Sequence, residues 1–183
     1  MAFDSFLPPT LAHSAHKNVA VAAEPQVVYV SRKPWNVARP HVLVVACSDG
    51  RLQENVDDFL SNHLGINGYD RLFMPGGPGA MSQSGYEFLR SDQWRRECAF
   101  LIAAHGIQEL VLIFHGAASD GPETAICADY PRKLPSQTPS QVREQQEIDA
   151  MDLLHRVFSV SAQLRVRVFR AEVRADGFVQ FVD

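Results

Sequence analysis

Val42-Leu43-Val44-Val45-Ala46 runs into Cys47-Ser48-Asp49-Gly50-Arg51: five unbroken apolar residues, then a polar turn. An apolar run without alternation suits a strand covered on both faces. Behind the turn, Leu52, Val56, Phe59, Leu60 and Leu64 recur at helical spacing, and Gly65 stands where a helix C-terminus is expected. Strand, tight turn and helix in that order open an α/β unit.

Downstream the same alternation repeats. Arg71–Met74 predicts a short strand that runs into Pro75-Gly76-Gly77-Pro78-Gly79-Ala80, and a long helical pattern follows to about His105, closed by Gly106. Leu110–Phe114 is the next buried strand and ends at His115-Gly116. The irregular stretch 116–137, with Cys127, Tyr130 and three prolines, reads as a functional loop between core elements. Thr138-Pro139 with Gln141 is a capping-box start for a helix to about Phe158. Leu164–Arg170 alternates apolar and basic residues as a half-exposed strand does, and Ala175-Asp176-Gly177 turns it into a last strand, Phe178–Val182. The pattern predicts a three-layer α/β fold whose mostly parallel sheet ends in an antiparallel C-terminal edge hairpin.

Upstream, residues 1–40 carry prolines at 8, 9, 25, 34 and 40 and no sustained periodicity. They are expected to form an N-terminal arm, either packed across a partner subunit or disordered over about the first twenty residues, ahead of one catalytic domain over 41–183. With 46% hydrophobic and 21% charged residues the composition is that of an ordinary globular chain. A net charge of −4 with no basic run gives no footprint for nucleic acid or an acidic membrane. The N-terminus lacks a basic start and a long apolar run, and no later segment reaches the roughly 20 apolar residues of a membrane helix, so the expected location is cytoplasmic.

In open parallel sheets, ligands bind beyond the carboxyl ends of the strands, which selects Cys47–Arg51, Gly76–Ala80 and His115 onward. A cysteine and a histidine leaving neighbouring strands form a zinc-ligand pair, and a catalytic zinc needs a third protein ligand. The candidates are Cys127, Cys98 and, more weakly, a carboxylate. Cys98 falls about fourteen residues into its predicted helix, away from the active edge, on an apolar stripe with Trp94, Leu101 and Ile102, which suits a core thiol. Cys127 lies twelve residues after His115 in a loop that starts at the active edge. Asp49 and Arg51 share the turn with Cys47, and an arginine fork holds a carboxylate ionised and oriented. In that reading Arg51 keeps Asp49 off the metal, where it accepts a hydrogen bond from the metal's water, and without Arg51 the carboxylate is free to close the site. Histidines 13, 16, 63, 105 and 155 receive no role.

Cys47-x-Asp49-x-Arg51 with the strand-end His115-Gly116 resembles the β-class carbonic anhydrases, over roughly residues 41–130. The family's usual H-x-x-C is replaced here by His115-Gly116-Ala117-Ala118, and Cys127 resembles the displaced cysteine of the carboxysomal shell carbonic anhydrases. The resemblance implies a Zn2+ cofactor, reversible hydration of carbon dioxide to bicarbonate, and a homodimer or higher homo-oligomer. It also implies a substrate role for Gly76, Gly77 and Gly79, whose backbone would approach the substrate. Two alternatives stand beside it: hydrolysis of carbonyl sulfide or carbon disulfide, and a metal-free, silent member serving as a binding or scaffold subunit. A dinucleotide fold fits poorly, because Gly77-Pro78-Gly79-Ala80-Met81-Ser82 lacks the last glycine of the fingerprint. A cysteine phosphatase fits poorly too, because Asp49 would face the phosphate.

Overall fold

The computed structural model describes residues 26–84, 87–157 and 163–183. The expected arm lies outside them up to residue 25, as does the predicted helix end at Phe158. The chain divides into two units, Met1–Asn36 and Val37–Asp183. In the first, residues 26–36 are exposed and form neither helix nor strand.

The second unit carries a five-stranded sheet. Its strands are β1 (Val42–Cys47), β2 (Asp70–Met74), β3 (Glu109–Ala117), β4 (Arg165–Val173) and β5 (Val179–Val182), in the spatial order β2-β1-β3-β4-β5. The first four are parallel neighbours and β4 pairs with β5 antiparallel. This is the mostly parallel α/β sheet with an antiparallel C-terminal pair that the sequence pattern predicts.

The apolar strands bury both faces. Leu43, Val45, Leu110, Leu112 and Phe114 face one side, where they meet Cys98 and Trp94 of α2 (Phe88–His105) and Leu153 beyond α4 (Pro139–Asp152), the helix that follows the short α3 (Tyr130–Lys133). Val44, Ala46, Val111 and Ile113 face the other, under Val56, Phe59 and Leu60 of α1 (Gln53–Asp58) and the turn after it. The alternation follows from the two-residue period of a strand. Capping by Thr138 and Gln141 is reciprocal, as the sequence predicts.

Two expectations are corrected. The helix after the glycine-rich loop begins only at Phe88, because Gly77–Met81 is a 3₁₀ turn and Ser82 is extended, so Cys98 is the eleventh residue of α2. Gly76 and Gly77, at φ of 91° and 55°, and Pro78 set that turn against helix propagation. On β4, Arg170 is not half-exposed but buried, where it pairs with the buried Glu172 and donates to Gln146 and the Ala117 carbonyl.

Candidate metal centre

Cys47 ends β1 and His115 lies near the end of β3, the next strand. Ala46 is level with Ile113, so the two side chains leave the same edge of the sheet. After β3 the chain makes a short 3₁₀ turn at Glu123–Ala125 and brings Cys127 back. The Cys47 sulfur, a His115 ring nitrogen and the Cys127 sulfur all lie within 4.8 Å of one another. His115 and Cys127 are buried and Cys47 is half-buried.

The donor set fits zinc on three counts. Two sulfurs and one imidazole are the ligands a catalytic zinc takes while leaving one position open. The sulfurs stand 3.9 Å apart. Two thiolates on a tetrahedral zinc, each about 2.3 Å from the ion, are separated by about 3.8 Å. His115 is 3% exposed, and neither of its ring nitrogens has a hydrogen-bond partner among the described residues. A buried imidazole without partners is costly unless something else takes its lone pair.

The sulfurs are electrostatically unequal. The Cys47 thiol is held far below the ordinary range, first by its contact with the Cys127 sulfur, against the effect of burial, and then by the His115 ring and the Gly76 amide. Cys127 is pushed up by the same contact with Cys47 and by burial, with the Asp129 amide acting in the opposite direction. The two shifts run in opposite directions because one sulfur–sulfur contact acts on both groups. A cation is ligated by thiolates, so a proton still held on this pair leaves when an ion binds.

Asp49 begins the turn after β1 and accepts three hydrogen bonds from the Arg51 side chain, at 2.9 and 3.1 Å from Nε and 2.5 Å from Nη2, and one from the Arg51 amide. These bonds hold its carboxyl down to about 2. Arg51 also donates to the Thr124 carbonyl, which ties the turn to the loop that carries Cys127. Asp49 and His115 line a cleft of about 190 Å³ whose walls include Leu52, Pro122, Ala125 and Val173. The structure thus brings together Cys47, Asp49, Arg51, His115 and Cys127. Cys98 is 1% exposed in the core beneath the sheet, as the apolar stripe predicts.

The glycine-rich loop packs behind the sulfurs. A Cβ on Gly77 would stand 2.9 Å from the Cys47 backbone nitrogen, one on Gly76 would run into the Asp129 carboxylate, and one on Gly79 into the Tyr130 hydroxyl. The space beside these glycines is filled by protein, and the Gly76 amide is aimed at the Cys47 sulfur. Of the histidines without an assigned role, His63 stacks on Phe59 and His105 pairs with Asp70 at 2.6 Å. Residues 13 and 16 lie outside the described residues.

Sequence reasoning missed the groups that surround the cluster. Asp129 is buried, takes Arg90 at 2.8 Å, and offers its amide to Cys127. Tyr130 and Asp149 are fully buried and bonded to each other, and Gln146 donates to the His115 carbonyl. The available signal was weak: Val142, Gln146 and Asp149 recur on one helical face, but two of them are polar and read as a solvated side.

Compared with known proteins, the chain matches no family model and no curated protein. Solved structures similar to it include a carbonic anhydrase from Streptococcus mutans, at 18% identity and a TM-score of 0.42, covering 86% of this chain and 88% of that one. A second is β-carbonic anhydrase isoform I of Trichomonas vaginalis, at 13% identity and 0.36, covering 86% and 87%. A third is a β-carbonic anhydrase of the fungal pathogen Aspergillus fumigatus, at 16% and 0.38, covering 79% and 76%.

Proposed function

We propose that this chain is a zinc-dependent lyase that hydrates carbon dioxide reversibly to bicarbonate. The observation that carries the reading is the convergence of Cys47, His115 and Cys127 within 4.8 Å, beside an aspartate clamped by its own arginine. Cys47, His115 and Cys127 would hold the ion. A zinc there supplies a Lewis acid that lowers the pKa of water from about 15.7 to near 7.

The remaining work belongs to the chain. Arg51 keeps Asp49 ionised and turned along the rim. From there the Asp49 carboxylate accepts a hydrogen bond from the attacking water and aims its lone pair at the carbon of the substrate. Leu52, Pro122, Ala125 and Val173 offer the cleft an apolar wall suited to an uncharged linear molecule. Bicarbonate is charged and strongly hydrated, so the same wall favours its release.

No helix among the described residues is long and apolar enough to cross a membrane. The proposal places the protein in the cytoplasm as a homodimer or larger homo-oligomer, with residues 1–40 as an arm toward the partner. A stopped-flow assay of carbon dioxide hydration on zinc-loaded protein tests the activity. Hydration well above the uncatalysed rate, abolished by Cys127→Ala, supports it. A fully loaded protein with no such activity refutes it, and activity on carbonyl sulfide alone would transfer the site to the hydrolase reading.

A further inference from the structure

A ligand twelve residues beyond its partner histidine, at the end of a loop, needs something rigid to hold it. The buried residues of α4 are Val142, Gln146 and Asp149. Their spacing of four and three residues puts them on one face of the helix. Each meets a different support of the metal cluster.

Val142 packs in one apolar cluster with Cys127 and Tyr130, against which Cys47 also rests. Gln146 donates to the His115 carbonyl at 2.9 Å, and its own oxygen accepts from Arg170 at 2.8 Å, so its amide orientation is fixed from both ends. Asp149 accepts from the Tyr130 hydroxyl at 2.7 Å, three residues after Cys127. It lies 3.5 Å from Lys133, whose ammonium also donates to the Gly79 carbonyl, in the loop whose Gly76 amide faces the Cys47 sulfur. Asp149 and Gln146 are 0% and 2% exposed. Buried polar groups without partners are costly, so each of these contacts favours one seated position of the helix.

We infer that this face of α4 is the positioning element of the metal centre, with Gln146 and the Tyr130–Asp149 pair as positioning residues that set the His115 and Cys127 donors relative to Cys47. The inference rests on the metal-site reading above. None of the three residues touches a reacting atom. Their effect is on how tightly and in what geometry the ion is held, as outer-shell partners of metal ligands act elsewhere.

The test is cobalt(II) substitution in the full chain. Affinity is read by chelator competition and coordination by the visible absorption of tetrahedral cobalt–thiolate, for native protein, Tyr130→Phe, Gln146→Met and a core control, Val44→Ala. Tyr130→Phe and Gln146→Met are expected to weaken cobalt binding by about 10–100-fold and to alter the spectrum. Val44→Ala is expected to lower the Tm of the metal-free protein with affinity and spectrum unchanged. Asp149→Asn, which keeps an acceptor for Tyr130, is expected to fall between native and Tyr130→Phe.

Affinities within twofold of native and unchanged spectra in both variants would overturn the inference while leaving the metal centre intact. A native chain that binds no cobalt would overturn the metal centre itself. A second readout, independent of cobalt, is capture of the folded, metal-free protein by a bridging trivalent arsenical, with Asp149→Asn taking the place of Tyr130→Phe should the latter fail to fold. The native pair of sulfurs, 3.9 Å apart, is expected to be bridged. Tyr130→Phe bridged as readily as native would contradict the positioning role.

Discussion

Each cysteine has a separate fate written into its surroundings. Cys98 lies under the sheet, where burial pushes its thiol up to about 12. Cys98→Ala is expected to cost about 1 kcal/mol of stability and leave metal content unchanged, measured by denaturant unfolding and elemental analysis. Asp49 and Arg51 form a pair with unequal consequences. Asp49→Asn is expected to retain the metal and lower the hydration rate by about 10²-fold, the scale of a lost proton acceptor. In Arg51→Ala the carboxylate loses the fork that holds it aside, so the cobalt spectrum is expected to shift as Asp49 joins the ligands. A spectrum identical to native would contradict that role for Arg51.

At the level of elements, the turn at Gly77 is the most demanding. Its φ of 55° and the Cys47 backbone 2.9 Å from a would-be Cβ make Gly77→Ala strained twice over. It is expected to destabilise the fold by about 1–3 kcal/mol and to weaken metal binding, because the displaced backbone is that of Cys47, a proposed ligand. The strand β1, the turn after it and the capped start of α4 were legible from the sequence because each depends on neighbours in the chain: an apolar run, an Asp-x-Arg turn, a Thr-x-x-Gln box. The late start of α2 was not, since the loop's own 3₁₀ turn mimics a helix start. Nor was the inward face of α4, since Gln146 and Asp149 are buried only because His115 and Tyr130 meet them from distant segments. Cys127 was legible as one candidate among others, and its arrival at Cys47 depends on the path of residues 116–127, which no local pattern encodes.

Over the whole molecule, a metal held by Cys47, His115 and Cys127 would be linked to folding. A ligand that binds only the native state stabilises it by about 4 kcal/mol at a thousandfold excess over Kd. For a chain of this size that corresponds to roughly 8–16 °C in Tm. Adding zinc to the metal-free protein is therefore expected to raise Tm by that order, and a chelator to reverse it. The linkage also runs through protons at a site remote from the metal. Tyr69, bonded to Asp57, is raised to about 12 by burial and then by that carboxylate. A raised tyrosine stabilises the fold fully below its unfolded value near 10. That contribution is lost as pH climbs through about 12. Native protein is expected to exceed Tyr69→Phe in stability at pH 7 by a margin that shrinks between those pH values, read as the difference in denaturant midpoints.

Zinc per chain, by elemental analysis of the reduced, folded native protein beside Cys127→Ala and Cys98→Ala, bears most directly on the assembled site. The expected result is about one zinc in the native protein and in Cys98→Ala, and close to none in Cys127→Ala. No zinc in the native protein, or an undiminished zinc content in folded Cys127→Ala, would contradict a centre built from Cys47, His115 and Cys127.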